Sequence, residues 1–352
     1  MSPKLLRNLW LAELAAAAVF VAACGSNPPL STTAPPSSPG SANNLAASGP
    51  ILSAWWDADR KGLRAIYGVL GAAQQGPPTY EDGTFSNAAV CARKSIALLM
   101  TPSGAISLAK LPNGRPVAIA NSGLSRATIV FSPSCAISLA FVPGGSKALL
   151  VRGLLSVPKV SQVALPAGVS AAAIADTGAI LVDVPGSQGS AAIKSLAGTG
   201  ANVQPVTLLS RFGGMAFLPG MDSAVVADAA ANAVFEASHL AGNLSVEQIA
   251  GESDGVAEPA AIAASADGRW VAVANSKGSS VLRLDLTGQT APLPTACHCS
   301  PGELEPLAGN FAFRLTEPGS GTVWAFDGNG SAPRVVFLPS EQPATAAQGA
   351  RP

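Results

Sequence analysis

Short apolar runs that return about every 43 residues constrain this chain more than any other feature. One unit reads Ile129-Val130-Phe131-Ser132-Pro133-Ser134 and then an apolar run from Ala136 to Val142. A second reads Ala173-Ile174-Ala175-Asp176-Thr177-Gly178 followed by Ala179 to Val184. A third is Ala216-Phe217-Leu218-Pro219-Gly220 with Ala224 to Ala227, and a fourth is Ala263-Ala264-Ser265-Ala266-Asp267-Gly268 with Trp270 to Ala274. With Phe131, Ile174, Phe217 and Ala264 taken as equivalent, the spacings are 43, 43 and 47; Leu307 follows 43 later and Val90 precedes by 41. The runs span five to eight residues and end at Gly, Pro, Asn, Asp or Ser, which predicts strands rather than helices. Each unit reads as strand, tight turn, strand, then two more strands such as Ser280 to Leu286.

Four short strands per unit of about 40–50 residues is the period of a β-propeller blade. The turn Ala266-Asp267-Gly268-Arg269 followed by Trp270-Val271-Ala272-Val273-Ala274-Asn275 resembles the repeat of YVTN-type propellers. An Asp-Gly pair supplies the positive φ that a tight hairpin turn needs, and side-chain alternation offers one face to each neighbouring blade. The resemblance implies an all-β propeller over most of Ala88 to Pro339, and the domain is expected to span 51–339.

Six units start near Val90, Phe131, Ile174, Phe217, Ala264 and Leu307. Ahead of them, Trp55-Trp56-Asp57 with Arg64-Ala65-Ile66-Tyr67 matches Ala325-Phe326-Asp327 with Arg334-Val335-Val336-Phe337, the Asp-to-Arg spacing being seven in both. That match reads the N-terminal pair as the last two, outer strands of a unit. Seven blades are expected, the pair making or completing one; a ring of six would leave it packed outside. This reckoning leaves half a blade without strands.

The first 50 residues carry an address rather than a fold. Lys4 and Arg7 precede an apolar run from Leu14 to Ala22, and small residues lead into Cys24. Charged, apolar and small-residue regions in that order make a secretory signal peptide, expected over 1–23. With Val21-Ala22-Ala23-Cys24 at its end, it resembles a bacterial lipoprotein lipobox, which implies cleavage before Cys24 and lipidation of that residue. The apolar run is too short for a membrane span of about 20 residues. Ser26 to Pro50 holds six Pro, six Ser and no charge, so 24–50 is expected to be a lipidated linker unable to bury a core. The tail, 340–352, is expected to be disordered. The resemblance implies a bacterial envelope protein held by its lipid and, with no Asp after Cys24, an outer-membrane location facing the periplasm or the cell surface.

Charged residues make up 12% of the chain and formal net charge is +0. That excludes the basic footprint of a nucleic-acid binder. Cys297-His298-Cys299 is the densest chemical cluster, and thiols with imidazole can ligate a metal. In an oxidising compartment, however, Cys91, Cys135, Cys297 and Cys299 tend to pair. Cys91 with Cys135 would join neighbouring units and Cys297 with Cys299 would close a small loop, although four cysteines allow three pairings. Asp183, Asp228 and Asn275 close the second strand of successive units at spacings of 45 and 47. They would either ring one mouth of a central channel as ligands for a cation or polar molecule, or cap their own turns.

Two histidines and no Gly-x-Ser-x-Gly elbow leave little inventory for general-base catalysis, and no cofactor is called for. Trp55, Trp56, Trp270 and Trp324 read as wedges between blades. The expectation from fold analogy is a non-catalytic interaction or scaffolding module with an envelope protein as partner and the membrane reached through its lipid anchor. The alternatives are a propeller hydrolase of lactonase type or a small-ligand or metal-binding sensor.

Overall fold

The second strand of most sheets is a nearly continuous apolar run, and the arrangement around it explains why. In a computed structural model of the chain, residues 49–187, 190–197, 202–316 and 322–340 are described. The segment expected to be a signal peptide, Cys24, most of the expected linker and the residues beyond Ser340 lie outside them. None of the described helical segments is long and apolar enough to cross a membrane.

Seven antiparallel sheets follow one another along the chain. Blade 1 holds β1 (Ile51–Asp57), β2 (Gly62–Tyr67) and β3 (Gln74–Thr79); blade 2 holds β4 (Asn87–Cys91), β5 (Ile96–Met100), β6 (Ala105–Lys110) and β7 (Val117–Asn121). Blade 3 comprises β8 (Thr128–Phe131), β9 (Ile137–Phe141), β10 (Lys147–Arg152) and β11 (Lys159–Ala164). Blade 4 comprises β12 (Ala171–Ile174), β13 (Ile180–Pro185), β14 (Ala191–Ala197) and β15 (Asn202–Leu209). Blade 5 has β16 (Phe212–Phe217), β17 (Ser223–Asp228), β18 (Ala233–Ser238) and β19 (Ser245–Ala250). Blade 6 has β20 (Pro259–Ala264), β21 (Trp270–Asn275), β22 (Ser280–Asp285) and β23 (Leu293–Ala296). Blade 7 has β24 (Glu303–Pro306), β25 (Ala312–Thr316), β26 (Trp324–Asp327) and β27 (Arg334–Phe337). The fold is a seven-bladed β-propeller.

Seven apolar clusters fill the seven junctions between blades, including the one between blade 7 and blade 1. A second strand is sandwiched by both neighbours, so β5 and β9 are buried at every residue. That double burial produces continuous apolar runs instead of alternation. The outermost strands face water: β11 is exposed at five of its six residues. Trp55 packs at the junction of blades 7 and 1, Trp56 at that of blades 1 and 2, and Trp270 and Trp324 at that of blades 6 and 7. Gly268, in the turn between β20 and β21, has φ +73, where its missing side chain removes the steric penalty.

The residues expected to start units end the innermost strands: Phe131 closes β8, Ile174 β12, Phe217 β16 and Ala264 β20. One expectation is corrected. The pair around Trp55 and Arg64 is the innermost and second strand of blade 1, not an outer pair, and β1 stands beside β4 of blade 2. The shared Asp-to-Arg spacing belongs to the hairpin itself. Arg64 Nε donates to Asp57 Oδ2 at 2.7 Å, and Arg334 Nη2 to Asp327 Oδ2 at 3.3 Å, whichever place the hairpin takes in its blade. Of the missing half blade one strand is β3, whose Gly76-Pro77-Pro78 carries no strand-like pattern and suits an outer edge, so among the described residues blade 1 has three strands where the others have four. The segment after β27 closes the ring there: Gln75 and Ser340 form a parallel bridge, and Gln75 Nε2 donates to the Leu338 carbonyl at 2.8 Å.

Candidate functional site

The innermost strands of all seven blades converge on a central cavity of about 520 Å3. Its wall is small and apolar: Ala54, Ala88, Val90, Ile129, Ala172, Ala216 and Ala263 are among its residues. Small residues suit this position because seven strands crowd towards one axis. Two faces bound it. On the turn face each innermost strand hands over to the second strand. On the opposite, loop face each outermost strand crosses to the next blade.

Three charged residues line the cavity, none of which the sequence reading singled out: Arg93, Glu303 and Glu305. Arg93 sits in the single 3-10 turn Ala92–Lys94 that joins β4 to β5, hence on the turn face. Its Nη1 donates to the Pro133 carbonyl of blade 3 at 3.0 Å, and its Nη2 to the Ala264 carbonyl of blade 6 at 3.5 Å. The side chain therefore reaches from blade 2 to the far wall. Its Nε is buried without an acceptor. Burial pulls the guanidinium below its ordinary pKa, against the opposing pull of Asp176 and Asp267. Glu303 opens β24 and thus lies towards the loop face. Glu305 accepts from Arg314 Nε at 2.9 Å, and the Arg314 guanidinium lies 5.1 Å from the Trp55 ring centre. What marks these three in the sequence is a charge within or just after an innermost strand, a feature shared by Asp57 at the end of β1, which does not line the cavity.

Asp183, Asp228 and Asn275 lie at the loop-face ends of β13, β17 and β21 and are buried, but none is among the cavity's lining residues. Each bonds within its own blade. Asp228 accepts from the backbone N–H groups of Ser210, Arg211, Ala230 and Ala231, at 2.6, 3.2, 3.0 and 3.0 Å. Burial raises its pKa, yet these four donors outweigh it and hold the carboxyl below the usual range. Asn275 Oδ1 accepts from Ala257 N at 3.0 Å, and its Nδ2 donates to the Gly255 carbonyl at 2.9 Å. Asp183 differs. It accepts one hydrogen bond, from the Ser170 hydroxyl, and its Oδ1 is buried without a donor. Burial raises its pKa, with the Ser170 bond acting the other way. In all three the side chain ties the start of an innermost strand to the end of the second.

Cys91 and Cys135 are joined by a disulfide between blades 2 and 3, and Cys297 and Cys299 by one in the crossing from blade 6 to blade 7. Among the described residues no group of three or more His, Cys, Asp or Glu is placed to hold a metal ion.

Solved structures share this architecture. A functionally unknown protein from Desulfotomaculum acetoxidans aligns with a TM-score of 0.57 and 14% identity, covering 83% of this chain and all of its own. A protein from Lactobacillus plantarum aligns at 0.51 with 12% identity over 82% of this chain and 98% of its own. A streptogramin B lyase aligns at 0.50 with 16% identity over 70% of this chain and 79% of its own. At these identities the likeness is one of fold. No protein-family model matches the chain, and no curated protein matches it.

Proposed function

We propose that this propeller is a lipid-anchored, extracytoplasmic module of a bacterial envelope, tethered through Cys24, which binds an envelope protein and does not catalyse. The observation that carries the reading is the way the turn face is stitched from blade to blade. Ser134 Oγ of blade 3 bonds Asp176 of blade 4 at 2.5 Å, Asn310 of blade 7 bonds Asp267 of blade 6, and Arg93 reaches Pro133. Turns held to one another keep their exposed side chains in a set arrangement, and preorganisation lowers the ordering cost of association. The lipobox supports the address, and the Pro- and Ser-rich linker supplies a semi-rigid tether. The lyase likeness extends to fold alone, so a hydrolase or lyase reading gains nothing from it.

Two measurements test the reading. Cys24→Ala should abolish acyl labelling and move the protein to the soluble fraction; retention after a carbonate wash would refute the anchor. A photo-crosslinking residue at Lys61 or Lys94, both exposed on the turn face, should give one discrete adduct in intact cells. Absence of an adduct from both positions would refute a partner on that face.

A further inference from the structure

We infer that the central cavity binds an amphipathic organic anion, its carboxylate or phosphate seated on Arg93 and its apolar body lying along the wall of innermost strands. This goes beyond the anchoring and the partner proposed above and depends on neither.

Three observations meet here. The first is the guanidinium's unfilled bonding capacity. Arginine carries five N–H donors, and Arg93 directs two hydrogen bonds to backbone carbonyls, one of them at 3.5 Å. Its Nε–H is buried with no acceptor, which leaves a desolvated donor uncompensated. The second is charge. Among the described residues Arg93 forms no ion pair, although Asp176 and Asp267 lie close enough to act on it. Those carboxylates are engaged elsewhere. Asp176 accepts from Ser134 N at 2.9 Å and from its hydroxyl, and Asp267 accepts from Ser265, Arg269 N and Asn310. A partly buried guanidinium left with two carbonyls is a ready donor site for an incoming anion, and its planar fork suits carboxylate and phosphate oxygens.

The third observation is the shape and chemistry of the space beside it. About 520 Å3 falls within the range of small-molecule sites, which combine an apolar wall with a few polar groups that set orientation. Here the polar groups are arranged by sign. Arg93 stands at the turn face, while Glu303 lies towards the loop face and Glu305 is already held by Arg314. An anion is favoured at one end alone, so a ligand with a single charged head takes a single orientation.

The test titrates the purified full-length protein by calorimetry with octanoate, octyl phosphate, 1-octanol and octylammonium, all below their micellar concentrations. At least one of the two anions should bind at least tenfold more tightly than octylammonium, with 1-octanol between them; whichever does so identifies the head group. Arg93→Gln should weaken that anion at least tenfold while leaving 1-octanol unchanged, and Arg93→Lys should retain part of the preference. The 1-octanol titration shows whether each variant keeps the cavity. The inference is overturned if wild-type protein binds neither anion at millimolar concentration, if octylammonium binds as well as the anions, or if Arg93→Gln binds the anion as wild type does.

Discussion

Asp267 and Asn310, 43 residues apart, bond each other reciprocally across the junction of blades 6 and 7. Asn310 Nδ2 donates to Asp267 Oδ2 at 2.8 Å, and Asp267 N donates to Asn310 Oδ1 at 3.0 Å. The sequence period is thereby converted into a lateral contact: equivalent turns of adjacent units become neighbours on the turn face. Ser134 and Asp176 repeat the relationship between blades 3 and 4, at a separation of 42.

Asn310→Ala removes both bonds and should lower stability by about 1 kcal/mol, or the melting temperature by about 2–4 °C. Burial raises the Asp267 pKa, but Ser265, Arg269 N and Asn310 together hold it below the usual carboxylate range. An acid with a depressed folded pKa contributes stability above its unfolded pKa and loses it as pH falls through the folded one. The deficit of Asn310→Ala should therefore be largest near neutrality and shrink below about pH 4. Melting curves of both proteins at pH 3 and pH 7 check it. An equal deficit at both values would show that the ionised carboxylate is not the partner.

The two disulfides differ in the length of chain they close. Cys91 and Cys135 are separated by 44 residues, Cys297 and Cys299 by 2. On the chain-entropy account, a loop of the first size stabilises by about 4 kcal/mol and one of the second by about 1 kcal/mol. Cys91→Ser with Cys135→Ser should therefore lower the denaturation midpoint several times further than Cys297→Ser with Cys299→Ser. Equal losses would place the stabilisation in local contacts rather than in restriction of the unfolded chain.

Asp183 and Asp228 occupy equivalent places yet should respond to pH in opposite directions. Burial lifts the Asp183 pKa, so its favourable state is the protonated one. That contribution is complete below the unfolded pKa of about 3.9 and is lost as pH rises through the higher folded value. Relative to Asp183→Asn, the wild type should thus lose stability as pH rises from about 4 to 7. Asp228, held below its ordinary value by four backbone donors, contributes above pH 4 and loses that contribution on acidification. Asp228→Ala leaves those donors unpaired and should cost about 2–3 kcal/mol at pH 7, less at pH 3. Chemical denaturation across this range reads both effects; parallel pH profiles would refute the assignment.

Much of the blade order was legible because strands and tight turns are local. The period picked out Phe131, Ile174, Phe217 and Ala264 as equivalent, and the structure sets all four at the ends of innermost strands; continuous apolar runs marked strands buried on both faces. Blade 1 was harder to read. The Asp57–Arg64 and Asp327–Arg334 pairs look alike because a hairpin with the same register makes the same ion pair anywhere in a sheet. Gln74–Thr79, with two consecutive prolines, gave no strand signal at all. The three Asx residues were correctly spaced, but spacing along a strand does not say whether a side chain turns towards the axis or back into its own loop.

The amino-acid sequence by itself determined the all-β character and the period, since each depends on residues within one unit, while the choice between six and seven blades waited on the ring itself. Tertiary structure alone decided how the ring closes and what faces its centre. Gln75 meets Leu338 across 263 positions, and Arg93 meets Ala264 across 171. Those distances vanish only when seven inter-blade cores have packed. The turn and blade of each residue are set by local preferences worth about 1 kcal/mol or less, whereas its neighbours across the axis are set by the collective burial that closes the ring.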